Sequence, residues 1–378
     1  MVANLYVHFP FCRSRCSYCS LYSRARSTAT ERERYIESIR VELESLRVRL
    51  ASTQPDSTRP YSTLNDPNPT LKTLYFGGGS PALCDLTPLR DALTPLLDEN
   101  TEFTVELHPL DVTPAKLDEL KSIGVNRISM GVQSLDDDIL CAMGRGYTAS
   151  DAARAFALVK SRFDNAGIDL IIGYPGDSIK WLDSLRDWGL THCSAYSLQN
   201  ERGLKDVPDD DIVLDRIRTV AAFLKTLGLE RYEISNYARP GFECRHNFAV
   251  WHGEDYIGLG EGACGREGLK RTRGILQNSV NGDREEGKGK REEGRGKSGE
   301  NLLIAYKTTE VSPLEDLKER TLFRLRTRDG IDSSRFPEWR PTLDRFVTEG
   351  LLVKIGESVY RLTERGTEVC DAILEELV

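Results

Sequence analysis

Short apolar runs alternate along this chain with longer segments whose apolar residues recur every three or four positions. Leu5–Phe9, Leu71–Phe76, Phe103–Leu107, Arg127–Val132, Ile168–Ile172, Cys193–Leu198 and Arg231–Ser235 have the β-branched and aromatic content of strands. Between them, Glu31–Leu50 sets Ile36, Ile39, Leu43, Leu46 and Leu50 on one helical face, with charge on the other. Pro114–Ile123, Ser150–Phe163, Ile179–Trp188 and Asp210–Leu227 read as further helices. Repeated strand–helix units with nearly continuous apolar strands predict an α/β fold. Its parallel sheet is closed or partly closed into a barrel, with the chemistry at the C-terminal strand ends.

Two stretches interrupt the pattern. Residues 51–70 carry four prolines among Ser, Thr, Asn and Asp and predict a long loop. Residues 281–300 hold six glycines, twelve charged residues and no apolar one, so they cannot bury surface to offset ordering entropy. A disordered charged insertion is expected there. Beyond it, Leu317–Leu325, Leu343–Glu349 and Glu364–Leu377 read as helices, and Leu351–Ile355 and Ser358–Leu362 as a hairpin. The expected organisation is a core over 1–265, a linker over 266–311 containing the insertion, and a small winged-helix-like domain over 312–378.

Composition narrows the function. The 378 residues are 39% hydrophobic, and no apolar run reaches the roughly 18 residues that span a bilayer. A net charge of −8 without a basic block argues against nucleic acid, whose phosphates require clustered Lys and Arg. Nine cysteines, an odd number, behind no signal sequence predict a cytoplasmic protein with free thiols rather than a disulfide scaffold.

Three of those cysteines carry the chemistry. Cys12, Cys16 and Cys19 lie in FCRSRCSYC, on the loop leaving the first strand after Pro10. A 4Fe–4S cubane normally takes four thiolates, so three leave one iron open to a substrate or cofactor. A structural zinc site would show a second Cys or His pair, which is absent from the sequence. The other strand ends are polar or glycine-rich as well. Phe76 runs into Gly77-Gly78-Gly79-Ser80-Pro81, Glu106 closes the next strand, Gln133 the one after, with Arg145 beyond it, and Asp169 heads Ile168–Pro175. Glycines there let a ligand approach the backbone.

The cluster loop, Gly77–Pro81, Val125–Ser134 and Ile168–Pro175 together resemble the radical S-adenosylmethionine (SAM) family, within it the group of oxygen-independent coproporphyrinogen III oxidases and the HemW heme chaperones. The resemblance implies a partial (β/α) radical SAM barrel. It makes Cys12, Cys16 and Cys19 the cluster ligands and puts SAM on the open iron. Tyr6, Gly78, Gly79, Ser80 (where the family usually has Thr) and Glu106 would then line the SAM site. Gln133, Arg145 and Asp169 match positions that contact a second SAM in the oxidases. Gly258–Cys264 resembles the segment that closes over the adenine, which includes Cys264. His246 in Cys244–Trp251 matches the histidine associated with heme in HemW, with Phe248 and Trp251 placed to stack on a porphyrin; Val250 stands where tyrosine is usual.

Two departures separate the chaperone from the oxidase. The oxidases have a fourth cysteine two positions after the third, where this chain has Leu21, and a longer segment before the cluster loop. The expected function is therefore binding heme and passing it to heme-acceptor proteins, with an electron donor for the cluster and a homodimer left open. The alternative is oxidative decarboxylation of coproporphyrinogen III.

Overall fold

The computed structural model describes residues 3–52, 70–276 and 304–378. The expected insertion over 281–300 and most of the loop over 51–70 lie outside them. Six strands follow one another in parallel: β1 Asn4–Phe9, β2 Thr73–Gly78, β3 Glu102–Leu107, β4 Arg127–Gln133, β5 Asn165–Ile172 and β6 His192–Ser197. A seventh, β7 Tyr256–Leu259, returns to pair in parallel with the far side of β1, Asn4 opposite Tyr256. Antiparallel strands extend both edges to twelve in all, and the two edges do not meet among the described residues. The sheet is an open, partial barrel.

Within each strand the pleat sorts residues to two faces. Leu5, Val7 and Phe9, then Leu74 and Phe76, then Phe103 and Val105, then Ile128, Met130 and Val132 join one outward-facing core. Helices cover it, among them α1 Ala29–Ser52 through Ile36, Ile39 and Leu43. Phe76 sits 5.0 Å from Phe9 and 4.8 Å from Phe103, ring centre to ring centre. Truncating so buried a ring to alanine costs about 3–5 kcal/mol.

The opposite face is polar, and this departs from the nearly continuous apolar strands expected. Tyr6, His8, Thr73, Tyr75, Glu102, Thr104, Glu106, Arg127, Ser129, Asp169, His192 and Ser194 occupy alternate positions of their strands. They bond to one another across the sheet rather than joining the outward core, as Ser129 does to Asp169 and Tyr75 to Glu106.

Elsewhere the elements mostly follow the periodicity, and three differences stand out. Arg231–Ser235 is not one strand: Glu230–Arg231 and Asn236–Ala238 pair antiparallel around a tight bend. Leu182–Trp188 is a 3₁₀ helix. The stretch expected as a linker contributes Lys270–Leu276 and Ile304–Glu310, paired along seven positions. Lys and Arg at their exposed positions masked the strand pattern, as on many edge strands.

The C-terminal residues form a separate core of Leu325, Ile331, Phe336, Trp339, Leu343, Phe346, Leu352 and Tyr360. A three-stranded sheet and short helices surround it, and the sheet includes Ile331–Asp332, which has no clear sequence signal. Among the described residues no helix is long and apolar enough to cross a membrane.

Candidate functional site

Cys12, Cys16 and Cys19 share the loop that leaves β1, each partly buried and none in a disulfide. Burial pushes the Cys12 thiol up to about 11, and its neighbours Cys19 and Cys16 add to the rise. An iron that binds there must displace that proton, which metal coordination of a thiol does outright. Among the described residues no three His, Cys, Asp or Glu converge to hold a single metal ion. A cubane makes a different demand: each thiolate binds a different iron, so the ligands stand around it rather than meet at a point. Three neighbouring thiols on one partly exposed loop fit it.

The glycine run after β2 packs directly beneath this loop. The Gly79 N–H donates to the Phe9 carbonyl and the Ser80 N–H to Phe11, each at 2.7 Å. A Cβ on Gly79 would come within 2.9 Å of the Cys12 sulfur. Gly78 has φ +104°, and a Cβ there would lie 2.5 Å from the His8 ring. Only glycine suits either position. With these N–H groups committed, a ligand at this edge would be met by carbonyl oxygens, which suit an ammonium group. The Ser80 hydroxyl is turned away, donating to Asp111 at 2.6 Å beneath Arg13.

Glu106 lies at the mouth of the polar lumen, accepting the Tyr75 hydroxyl at 2.8 Å and the Gly78 N–H at 3.0 Å. Its surface stays partly accessible although protein surrounds it, as in a deep cleft. Burial first, and the nearby Asp169 second, push its carboxyl up to about 7. Asp169 is held by the Ser129 hydroxyl at 3.0 Å, and burial raises it as well. Tyr6 lies within electrostatic reach of both Glu106 and Cys264.

Arg145 connects this cleft to the cysteines. Its guanidinium donates to the Gly131 carbonyl at 2.7 Å and the Tyr147 hydroxyl at 3.1 Å, and reaches the Cys16 sulfur at 3.3 Å. Gln133 lies beside it at φ +69°, where β4 bulges against β5. Cys264 stands past the turn Gly258–Gly262, whose Glu261 binds the returning arm of the cysteine loop. The carboxylate accepts from the Tyr22 hydroxyl and, at 2.5 Å, from Arg24. That clasp and the Arg145–sulfur contact had no signal in the sequence beyond the alternation of polar residues.

His246, on α2 Arg245–Trp251, bonds Thr73 at the start of β2, with Tyr75 and Tyr6 between it and Glu106. Its ring is 4% exposed, beside Tyr75 and Tyr6. Burial, then Arg127, pushes it down to about 3, so it is neutral. A relay fixes its tautomer. The Asn4 amide donates to the Asp255 carbonyl, its oxygen accepts the Thr73 hydroxyl at 2.9 Å, and the Thr73 oxygen lies 2.8 Å from His246 Nδ1. With the Thr73 proton already donated, Nδ1 carries the hydrogen and Nε2 the lone pair a metal would need. Phe248 packs on Tyr232 in the cluster that also holds Tyr75 and Tyr6, with Arg328 over its ring, whereas Trp251 faces Phe323 and Arg326 of the C-terminal domain.

Residues 62–189 match the Radical SAM superfamily. The chain is 29% identical to the heme chaperone HemW of Bacillus subtilis, over 99% of this chain and all of the relative. It is 30% identical to that of Synechocystis over 90% of this chain and 82% of the relative. The mouse mitochondrial radical S-adenosyl methionine domain-containing protein 1 is 28% identical over the whole chain and 87% of its own length. Among solved structures, coproporphyrinogen III oxidase (HemN) from Escherichia coli superposes with a TM-score of 0.76 at 18% identity, covering 98% of this chain and 89% of the oxidase. That likeness is one of fold.

Proposed function

The chain belongs to the HemW family of radical SAM proteins, and from that premise we propose that it binds heme and delivers it to acceptor hemoproteins. Cys12, Cys16 and Cys19 are the cluster ligands in this reading. The carbonyls of the glycine run and Glu106 receive the ammonium end of SAM, with Tyr6 and Cys264 along the cleft. Gln133, Arg145 and Asp169 line its far wall. Held by these residues, a cluster would supply a low-potential electron, and the depth of the cleft around Glu106 would limit the water beside it. Nine free thiols support a reducing compartment such as the cytoplasm.

One observation carries the choice of chaperone over oxidase. Two positions after Cys19 the chain offers Leu21, 54% exposed, where the oxidase pattern has a thiol. We assign the heme iron to His246 Nε2. Because the ring is buried, α2 must move before iron reaches it, so heme uptake is expected to be much slower than diffusional encounter.

Anaerobic reconstitution followed by two parallel assays tests this. Heme should shift its Soret band on wild type, and His246→Ala should lose the shift while keeping the cluster absorbance. Coproporphyrinogen III with SAM and reductant should not be consumed. Steady turnover of that substrate would transfer the protein to the oxidases, and a Soret shift indifferent to His246→Ala would move the heme site elsewhere.

A further inference from the structure

The helix that carries His246 is gripped from outside by one short stretch of the C-terminal domain. Arg328 pairs at 2.9 Å with Glu243, just before α2, and its guanidinium lies over the Phe248 ring. Asp329 lies 2.8 Å from Nε2 of His252, the residue that caps the other end of α2. Arg326 covers the Trp251 ring, and Phe323 packs against the same ring at 5.7 Å between centres. Arg320 donates to the Gly253 carbonyl and pairs with Asp255 at 2.6 Å. Gly253 lies so close that a Cβ there would come within 2.8 Å of the Arg320 Cβ. Residues 320–329 thus hold α2 at both ends and by its Phe and Trp rings.

On the barrel side the hold is mostly polar. The Arg245 and His246 N–H groups donate to Glu102 at 2.9 and 3.1 Å, and the His246 ring meets Thr73. Of the seven residues of α2 only His246 and Ala249 are buried, and Phe248 adds its contact with Tyr232. The gripping stretch also touches the barrel itself. The Arg328 N–H donates to the Tyr232 carbonyl at 3.0 Å, and Thr327 bridges to Glu233. Most of its contacts to α2 are partly solvated polar pairs, each weak alone. Such an assembly opens as a unit at a free energy well below that of unfolding, leaving both cores intact.

We propose that residues 320–329 are the latch of the His246 site. Release of their contacts frees α2 to turn out from the lumen, and heme reaches or leaves the imidazole only while the latch is open. The inference rests on the reading of His246 as the heme-iron ligand. In the closed form that ring is 4% exposed, so heme binds the open fraction, and uptake is slowed in proportion to how rarely the latch opens.

Reconstituted protein kept anaerobic tests this through two readouts. Cys244 precedes α2 and is fully buried, so its alkylation by iodoacetamide, followed by the mass of its peptide, reports the opening of α2 without any heme. Cys193 in the barrel core and Cys370 in the C-terminal core serve as internal controls. An Arg328→Ala/Asp329→Ala double variant should label Cys244 about tenfold faster, as expected for two partly exposed pairs, with Cys193 and Cys370 unchanged. Heme uptake, followed at the Soret band in stopped flow, should accelerate by the same factor. Glu243→Gln, which removes the charge that pairs with Arg328, should do both to a smaller extent and serves where the double variant is unstable. Equal gains at all three cysteines would mean general loosening and would overturn the proposal. So would Cys244 labelling unchanged in both variants, or faster labelling with heme uptake unaltered. A Soret shift indifferent to His246→Ala fails the heme-site reading instead, and it is recognised from wild type and that variant before the latch variants are compared.

Discussion

Glu106 and Thr73 show how single residues set the chemistry of the lumen. A carboxyl raised to about 7 is protonated in the folded protein over a range where the unfolded chain has already released its proton. Folded protein binds the extra proton between the ordinary carboxylate value and about 7, so this group's contribution to stability falls as pH rises through that window. Glu106→Gln removes the effect. The variant should gain stability relative to wild type at pH 8, and the difference should fade as pH falls toward 4.5, as read from urea midpoints at each pH. A cationic ligand reverses the preference: SAM affinity of wild type should rise through pH 7 and lose that dependence in the variant. At Thr73 the argument concerns a tautomer. Thr73→Val conserves shape but removes the oxygen that accepts from His246 Nδ1. Heme titration should weaken by about tenfold, the equivalent of one lost hydrogen bond of about 1.4 kcal/mol, with the cluster spectrum unchanged.

At the scale of elements, the turn between β7 and Cys264–Glu267 acts through Glu261. This buried carboxylate ties Tyr22 and Arg24 of the cysteine loop, while its N–H donates to Tyr35 of α1 at 3.0 Å. Glu261→Ala leaves those donors without their acceptor and should destabilise by about 1–3 kcal/mol. The loss should be accompanied by faster release of iron to a chelator, because the loop loses its brace. Sequence periodicity located the six successive parallel strands and most helices, since each pairs an apolar outer face with a covering helix. It did not show the inner face, because Thr73, Thr104 and Ser129 are unremarkable in a strand and only the pleat reveals that they share a lumen. Lys270–Leu276 was hidden for the opposite reason: four of its seven residues, Lys270 to Arg273, are polar or charged, as on a half-solvated edge. The three cysteines and the glycine run were legible because their chemistry leaves few substitutes. His246 was legible as a residue but not in its surroundings, since Trp251 turns to Phe323 and Arg326 while Phe248 stays in the cluster with Tyr232 and Tyr75.

Across the whole molecule, two cores are joined by ion pairs that link the sheet edge to α3 Pro313–Leu325. Arg266 pairs with Glu319, Arg271 with Glu319 and Asp316 at 2.7 Å, and Arg320 with Asp255 at 2.6 Å. The Arg266 side chain is 3% exposed and stacks on Phe323, so Glu319 is its direct counter-ion. Glu319→Ala strands that charge and should cost about 3 kcal/mol. Arg266→Met/Glu319→Leu, which removes both charges together, should recover most of it. Urea denaturation of the single and double variants measures the difference.

The pairing of Asn4 with Tyr256 has a consequence in time. The strand that flanks β1 and the turn that clasps the cysteine loop are synthesised some 250 residues after the cysteines themselves. Contacts of such long separation form late, after the chain has closed a large loop. During translation the three thiols are therefore present but unshielded, on a strand with one neighbour instead of two. Insertion of iron and sulfide before that point would meet a site without its brace, so maturation is set to follow the docking of β7. Oxidative damage to this protein should concentrate in the interval before β7 docks.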